Sequence, residues 1–250
     1  MGSNKIKVGT CGFPASKEKL FSEVDAIEVQ QTFYHPPEIE TLKKWRDQAE
    51  GRVEFTLKAW QLITHLPSSP TYKRVKGELK EEISKISDAL GFFKNTKEVF
   101  RAYEKTLECC EALKAKAIVF QSPSSFKPLE ENIRNLREFF KKVFRPEKVL
   151  FVWEPRGKWD ITLLKEISRD CKILIGGDPL GGGYLMGDIL YLRLHGIGGY
   201  RYKFTEEDFG HICKIIGNKN AYVMFNNISM FEDAVRFKKF LKKGGKDGRK

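Results

Sequence analysis

The 250-residue sequence lacks most of the features that would assign a function directly. No apolar run approaches the roughly 20 residues needed to cross a bilayer, so no membrane-spanning helix and no membrane partner are expected. The first seven residues hold no apolar stretch resembling a signal peptide. The cysteines, Cys11, Cys109, Cys110, Cys171 and Cys213, are odd in number and show neither CxxC nor zinc-finger spacing. A disulfide framework and a structural zinc site are therefore not expected, and a reducing, cytoplasmic compartment is. No GxGxxG or Walker fingerprint is present, so no cofactor is predicted. Glutamine is rare at five residues while lysine and glutamate are abundant, a thermophile-like balance.

Charge is present in excess, at a formal +12. Residues 236–250 hold Arg236, Lys238, Lys239, Lys242, Lys243, Lys246, Arg249 and Lys250 against Asp247, a net of +7 that leaves only +5 for the rest of the chain. The basicity thus belongs to a last helix and a tail over 244–250, expected to be flexible. A solvated helix face explains it, with nucleic-acid binding as the alternative.

Eight short segments rich in β-formers follow one another: Ile6–Thr10, Ala26–Gln30, Val53–Lys58, Ala117–Gln121, Val149–Glu154, Lys172–Asp178, Ile189–His195 and Ala221–Asn226. Most are nearly continuous apolar runs, as strands buried on both faces should be. Amphipathic helical patterns lie between many of them. Examples are Glu38–Ala49 with Ile39, Leu42 and Trp45, and a stripe of Val99, Tyr103, Leu107, Cys110 and Leu113 after a capping-box-like start at Asn95–Glu98. A second stripe is Leu129, Ile133, Leu136, Phe140 and Val143. Asp160, Thr205 and Ser229 are the expected caps of three more helices. Alternation of this kind predicts βαβ units in a parallel sheet. Eight strands in about 250 residues predict a single-domain (β/α)8 barrel over residues 1–243. A doubly wound open sheet is the alternative. Residues 59–116 have room for two helices and an excursion, whereas 178–188 are too short and glycine-rich for a full helix.

The polar residues fall at the C-terminal ends of these strands, where (β/α)8 enzymes place their active sites. Strand by strand they are Thr10, Glu28, Lys58, Gln121, Glu154, Asp178, His195 and Asn226. Period-2 alternation puts Arg156 on the side of Glu154, and Tyr191, Arg193 and His195 together on the barrel axis. Charged groups in a dehydrated mouth need partners. The three acids and the three bases Lys58, Arg156 and Arg193 are either functional or a self-neutralising ion-pair network.

Several stretches have a specific resemblance. Gly9-Thr10-Cys11-Gly12-Phe13 resembles GTSGW, and Ile27–Tyr34 resembles VEINSTFY. Phe55–Ala59 with Ile63-Thr64-His65 resembles FxxKAP…ITH, and Phe120–Phe126 resembles FQLPPSF. Trp153–Trp159 resembles EFRHxSW, Tyr191–Gly196 resembles YVRLHG, and Phe225-Asn226-Asn227 ends in FNN. Seven motifs in order across residues 9–227 resemble the DUF72 family. That resemblance implies a (β/α)8 barrel and leaves the activity open. The chain departs from the pattern at Phe13, Trp60, Gln61, Pro155 and Gly157.

From these residues we expect a hydrolase- or lyase-like enzyme acting on a small anionic or polyhydroxylated substrate. Glu28, Glu154 and His195 would move protons. Lys58, Arg156 and Arg193 would hold the anion, and Thr10, His65, Gln121, Asp178 and Asn226 would line and orient. Two alternatives remain. One is a nuclease using a divalent metal at Glu28, Glu154, Asp178 and His195, although no HxH or HExxH pattern supports it. The other is a nucleic-acid-binding module using the basic C-terminal helix and the loop aromatics Tyr34, Trp60, Phe126, Trp159, Tyr200 and Tyr202.

Overall fold

The computed structural model describes residues 5–244; the expected tail falls, apart from Gly244, outside them. Its eight strands are β1 (Ile6–Cys11), β2 (Ala26–Val29), β3 (Glu54–Lys58), β4 (Ala117–Gln121), β5 (Leu150–Glu154), β6 (Leu174–Ile175), β7 (Ile189–Leu194) and β8 (Asn220–Phe225). All the paired strands are parallel, in the order β6-β5-β4-β3-β2-β1-β8-β7. An open sheet would leave β6 and β7 as edges. Instead Gly177 forms a parallel bridge to Leu192. Its N–H donates to the Tyr191 carbonyl at 3.3 Å, and the Arg193 N–H donates to the Gly177 carbonyl at 2.9 Å. The sheet therefore closes into a (β/α)8 barrel.

The seam is narrow for a steric reason. A Cβ on Gly176 would lie 2.7 Å from Val152 Cγ1 and 2.9 Å from the Tyr191 carbonyl oxygen. Glycine lets the strands approach but gives β6 little side chain to pack, so regular pairing spans Leu174–Ile175 rather than the expected 172–178.

Side chains alternate as a two-sided barrel wall requires. Ala26, Ala117, Val119, Val152, Tyr191, Tyr222, Met224 and Cys11 form one buried cluster that fills the barrel interior. Their strand neighbours, such as Ile27, Leu57, Ile118, Phe120, Trp153, Leu192 and Phe225, join the larger cluster beneath the helices. The same alternation corrects one expectation. Thr10 shares its side of β1 with Val8, on the helix-facing side, while Cys11 points inward. The Thr10 hydroxyl donates to the Gly12 carbonyl at 2.9 Å and serves the turn after β1 rather than the barrel mouth.

The expected helices form with small shifts at their ends. The helix Ile161–Cys171 is capped by Asp160, and Glu206–Ile216 carries a full capping box from Thr205 and Asp208. Thr96 rather than Asn95 caps Lys97–Leu113, accepting from Val99 N at 3.3 Å. Ser229 precedes Met230–Lys242 without a side-chain cap bond. Leu129, at the head of Glu130–Lys142, is exposed and outside that helix's buried stripe. Between β3 and β4 the chain makes a short helix Gln61–Thr64, the helix Glu78–Lys85 and the long helix Lys97–Leu113. The 178–188 connection holds a single 3-10 turn, Pro179–Gly181.

Candidate functional site

Strand alternation carries Glu28, Lys58, Glu154 and Arg193 to one end of the barrel, above the apolar plug. Arg193 is the hub and is 1% exposed. Its Nη2 and Nε donate to Glu28 at 2.7 Å and 3.0–3.1 Å, and its Nη1 pairs with Glu154. Glu154 also takes Arg156 Nη2 at 2.9 Å. The same Nη2 donates to His195 Nε2 at 2.7 Å, and Asn226 Nδ2 approaches that nitrogen at 2.9 Å. One polar chain thus runs Glu28–Arg193–Glu154–Arg156–His195–Asn226 across β2, β7, β5 and the end of β8. This gathers six of the expected site residues.

The two carboxylates are therefore anchored. Burial alone would raise the Glu154 pKa, but Arg193 and Arg156 outweigh it and hold the carboxyl below its usual value. Glu28 accepts from Arg193, from Tyr191 Oη at 2.9 Å and from Gln30. Both acids are engaged as acceptors, and the lowered pKa of Glu154 is the reverse of what a general acid needs.

His195 is held differently. An arginine can only donate, so Nε2 is the acceptor and the proton of the neutral ring sits on Nδ1. That Nδ1 is buried with no hydrogen-bond partner among the described residues, and so is Arg156 Nε. Burial, then the charge of Arg193, lowers the His195 pKa to about 3, so the ring stays neutral at ordinary pH.

Lys58 stands apart from this network. It is 6% exposed, and its ammonium lies over the Phe33 ring at 3.5 Å with no hydrogen bond or ion pair among the described residues. Burial brings its pKa down to about 7, with Arg193 adding to the shift and Glu154 and Glu28 opposing it. His65 borders the same spot. Its ring meets Phe33 edge-on at 4.9 Å, Nδ1 lies 2.8 Å from Thr64 Oγ1, and burial followed by Lys58 lowers its pKa to about 3.

Two more expected residues have settled roles. Asp178 Oδ1 accepts the N–H of Leu180 and Gly181 at 3.0 and 3.3 Å, and Oδ2 accepts those of His195 and Gly196 at 2.6 and 3.0 Å. It braces the loop after β6 against the end of β7. Gln121 sits half-buried at the end of β4, in register with Glu154, and its side chain makes no hydrogen bond among the described residues. A cavity of about 150 Å³ opens here, lined by Glu154, Arg156, Asp178, Tyr184 and the 181–183 glycines.

Tyr191, Thr56, Gln30 and Phe33 escaped selection as site residues. Tyr191 bridges Thr56 Oγ1 at 2.8 Å to Glu28. Three of the four carried a legible signal: Gln30, Thr56 and Tyr191 lie two positions from Glu28, Lys58 and Arg193. Phe33 lies in the helical turn Gln31–Tyr34, where strand alternation has no reach. Burial, then Glu28, pushes the Cys11 thiol well up, which disfavours its thiolate.

The metal alternative finds no ligand set. Among the described residues no three His, Cys, Asp or Glu converge to hold an ion. The nucleic-acid alternative is divided in space. Helices of the barrel run antiparallel to its strands, so the last turn of Met230–Lys242 lies at the end opposite the mouth. Lys238 there pairs at 2.8 Å with Asp25, just before β2. Of the loop aromatics, Phe126 and Trp159 are buried around Trp153 rather than offered for stacking. No helix is long and apolar enough to cross a membrane among the described residues.

The barrel is shared with solved structures. A DUF72 family protein from Thermotoga maritima superposes with a TM-score of 0.66 at 19% identity, covering 95% of this chain and 99% of that one. Another from Enterococcus faecalis gives 0.69 at 18%, covering 97% and 99%. A sugar phosphate isomerase/epimerase from Parabacteroides distasonis gives 0.55 at 10%, covering 93% and 97%. No curated protein matches. The profile described as "Protein of unknown function DUF72" matches residues 18–248, nearly the whole length, and the chain belongs to that family.

Proposed function

We propose that this protein is an enzyme that binds a small anionic, polyhydroxylated carbonyl compound at the barrel mouth and acts on it by proton transfer, as a lyase or isomerase does. The observation that carries this reading is the pair of buried donors without acceptors, His195 Nδ1 and Arg156 Nε. Buried donors are costly when unpaired, and ligand oxygens would complete them. The open groups favour an anion. Both are donors, one of them on the Arg156 guanidinium, while the Asp178 oxygens are taken up by four backbone amides. The adjoining cavity of about 150 Å³ holds the volume of about five waters, which suits a small molecule.

The same contacts argue against a glycoside hydrolase, which needs one carboxyl protonated as acid and another free. Here Arg193 engages both, so the group suited to exchanging a proton near neutrality is Lys58. Glu28 and Glu154 become positioning residues, and His195 a neutral donor toward a developing oxyanion. A D-psicose 3-epimerase and the sugar phosphate isomerase/epimerase share the barrel at 11% and 10% identity. At that distance they support the fold, and the substrate class rests on the donors. A nuclease would need free carboxylates for its metal, and Arg193 occupies them.

Thermal melting of the wild type, His195→Asn and Arg156→Leu against three- to six-carbon sugars, sugar phosphates and hydroxy acids tests this reading. At least one anionic compound should raise the wild-type melting temperature by several degrees, and each variant should lose more than half of that rise. Equal shifts in all three proteins, or none in the wild type, would overturn it.

A further inference from the structure

We propose that Lys58 is a covalent catalyst whose amine forms an imine with the carbonyl carbon of the bound substrate. This deepens the reading above and rests on it. Three observations carry it. The amine sits in the mouth among charged groups, yet it has no ion-pair partner, because Arg193 and Arg156 already take the Glu28 and Glu154 oxygens. Its close neighbour is the Phe33 face at 3.5 Å, an apolar contact that tolerates a cation but does not fix a proton on nitrogen. It also ends β3 at 6% exposure, where a charge without a partner carries a desolvation penalty.

The chemistry follows from what the site holds. The neutral amine donates its lone pair to the carbonyl carbon, the C=O π pair moves to oxygen, and a proton passes from nitrogen to that oxygen. The nitrogen lone pair then forms C=N as the hydroxyl, taking one further proton from solvent, leaves as water. Nothing is oxidised or reduced. The product is a cationic iminium, one positive charge more than the free amine, and it forms in the mouth that also holds the Glu28 and Glu154 carboxylates. Burial, which depresses the lysine's proton affinity, supplies the free amine at neutral pH. An iminium withdraws electrons from the adjacent carbon and would ease the loss of a proton or a C–C bond there, as a lyase or isomerase requires.

The test uses the full chain and two small probes, formaldehyde and glycolaldehyde, each with cyanoborohydride at pH 7, followed by peptide mapping over time. Formaldehyde is small enough that a poor fit cannot protect the residue. An ordinary surface lysine is neutral in only about 0.04% of molecules at this pH. Lys58 is expected to be alkylated at least tenfold faster than exposed lysines such as Lys114 and Lys172, and glycolaldehyde should give one reduced adduct per chain at Lys58 before others accumulate. Lys58→Met should remove that early adduct while keeping the wild-type circular dichroism spectrum. Labelling of Lys58 no faster than Lys114 would overturn the proposal. If that occurs while sugar phosphates still shift melting through His195 and Arg156, the imine fails and the binding reading stands. If no compound shifts melting either, both fail.

Discussion

At the scale of single residues, the mouth contrasts one side chain that has everything it needs with one that does not. Arg193 is surrounded by acceptors from Glu28 and Glu154, and removing one partner of such a buried cluster leaves uncompensated charge. Arg193→Met should therefore cost about 3–5 kcal/mol of stability. Adding Glu28→Gln and Glu154→Gln should restore part of it, giving a coupling energy readable from urea unfolding. A simple sum of the separate effects would show that the three side chains do not act as a unit. Lys58 should respond in the opposite sense. Its pKa falls to about 7 in the fold from about 10.4 in the unfolded chain. Between those values the unfolded state binds more protons, so wild-type stability should rise with pH from about 7 toward 10. Lys58→Met removes that dependence, and at pH 7 it should be more stable than wild type by roughly 1–4 kcal/mol. A Lys58→Met protein that is less stable, or that keeps the alkaline rise, would show that the ammonium is balanced after all.

At the scale of elements, the barrel was legible because buried parallel strands are written as apolar runs, and because period-2 alternation sorts Tyr191, Arg193 and His195 from Leu190, Leu192 and Leu194. What the sequence concealed depends on contacts between elements. The placement of Thr10 turns on which face of β1 meets the axis, and a strand of mostly small or β-branched residues does not declare that. The pairing of Glu28 with Arg193 joins residues 165 positions apart, and the cation–π partner of Lys58 lies in an irregular turn. Asp178 looked like a ligand-binding acid because it ends a strand, yet its oxygens meet four backbone amides from two loops. Asp178→Ala should cost about 2–4 kcal/mol and speed hydrogen exchange at Leu180, Gly181, His195 and Gly196 ahead of the strand interiors. Unchanged protection at those four amides would mean that the loops are held by the β6–β7 seam alone.

At the scale of the whole molecule, charge is divided between the two ends of the barrel. The last turn of the C-terminal helix and the Lys238–Asp25 pair lie at one end, and the buried polar chain lies at the other. Acid should act through the mouth. His195 and His65 both sit buried with pKa values lowered to about 3, against about 6.5 in the unfolded chain. As pH falls below about 6.5 the unfolded state takes up protons that the fold refuses, so stability drops. Two histidines acting together give a slope of about 2.7 kcal/mol per pH unit between pH 6 and 4. Glu154, whose pKa is held low by Arg193 and Arg156 against the opposing effect of burial, extends the loss in the same direction at lower pH. Urea unfolding at pH 7, 6, 5 and 4 measures the slope, and His65→Gln and His195→Asn should each remove about half of it. A variant that unfolds with the wild-type slope would show that its histidine already accepts a proton in the fold. For His195 that would place a cation beside Arg156 and Arg193 and reverse the direction of hydrogen bonding at Nε2, ending its role as the neutral donor on which the proposed anion site depends.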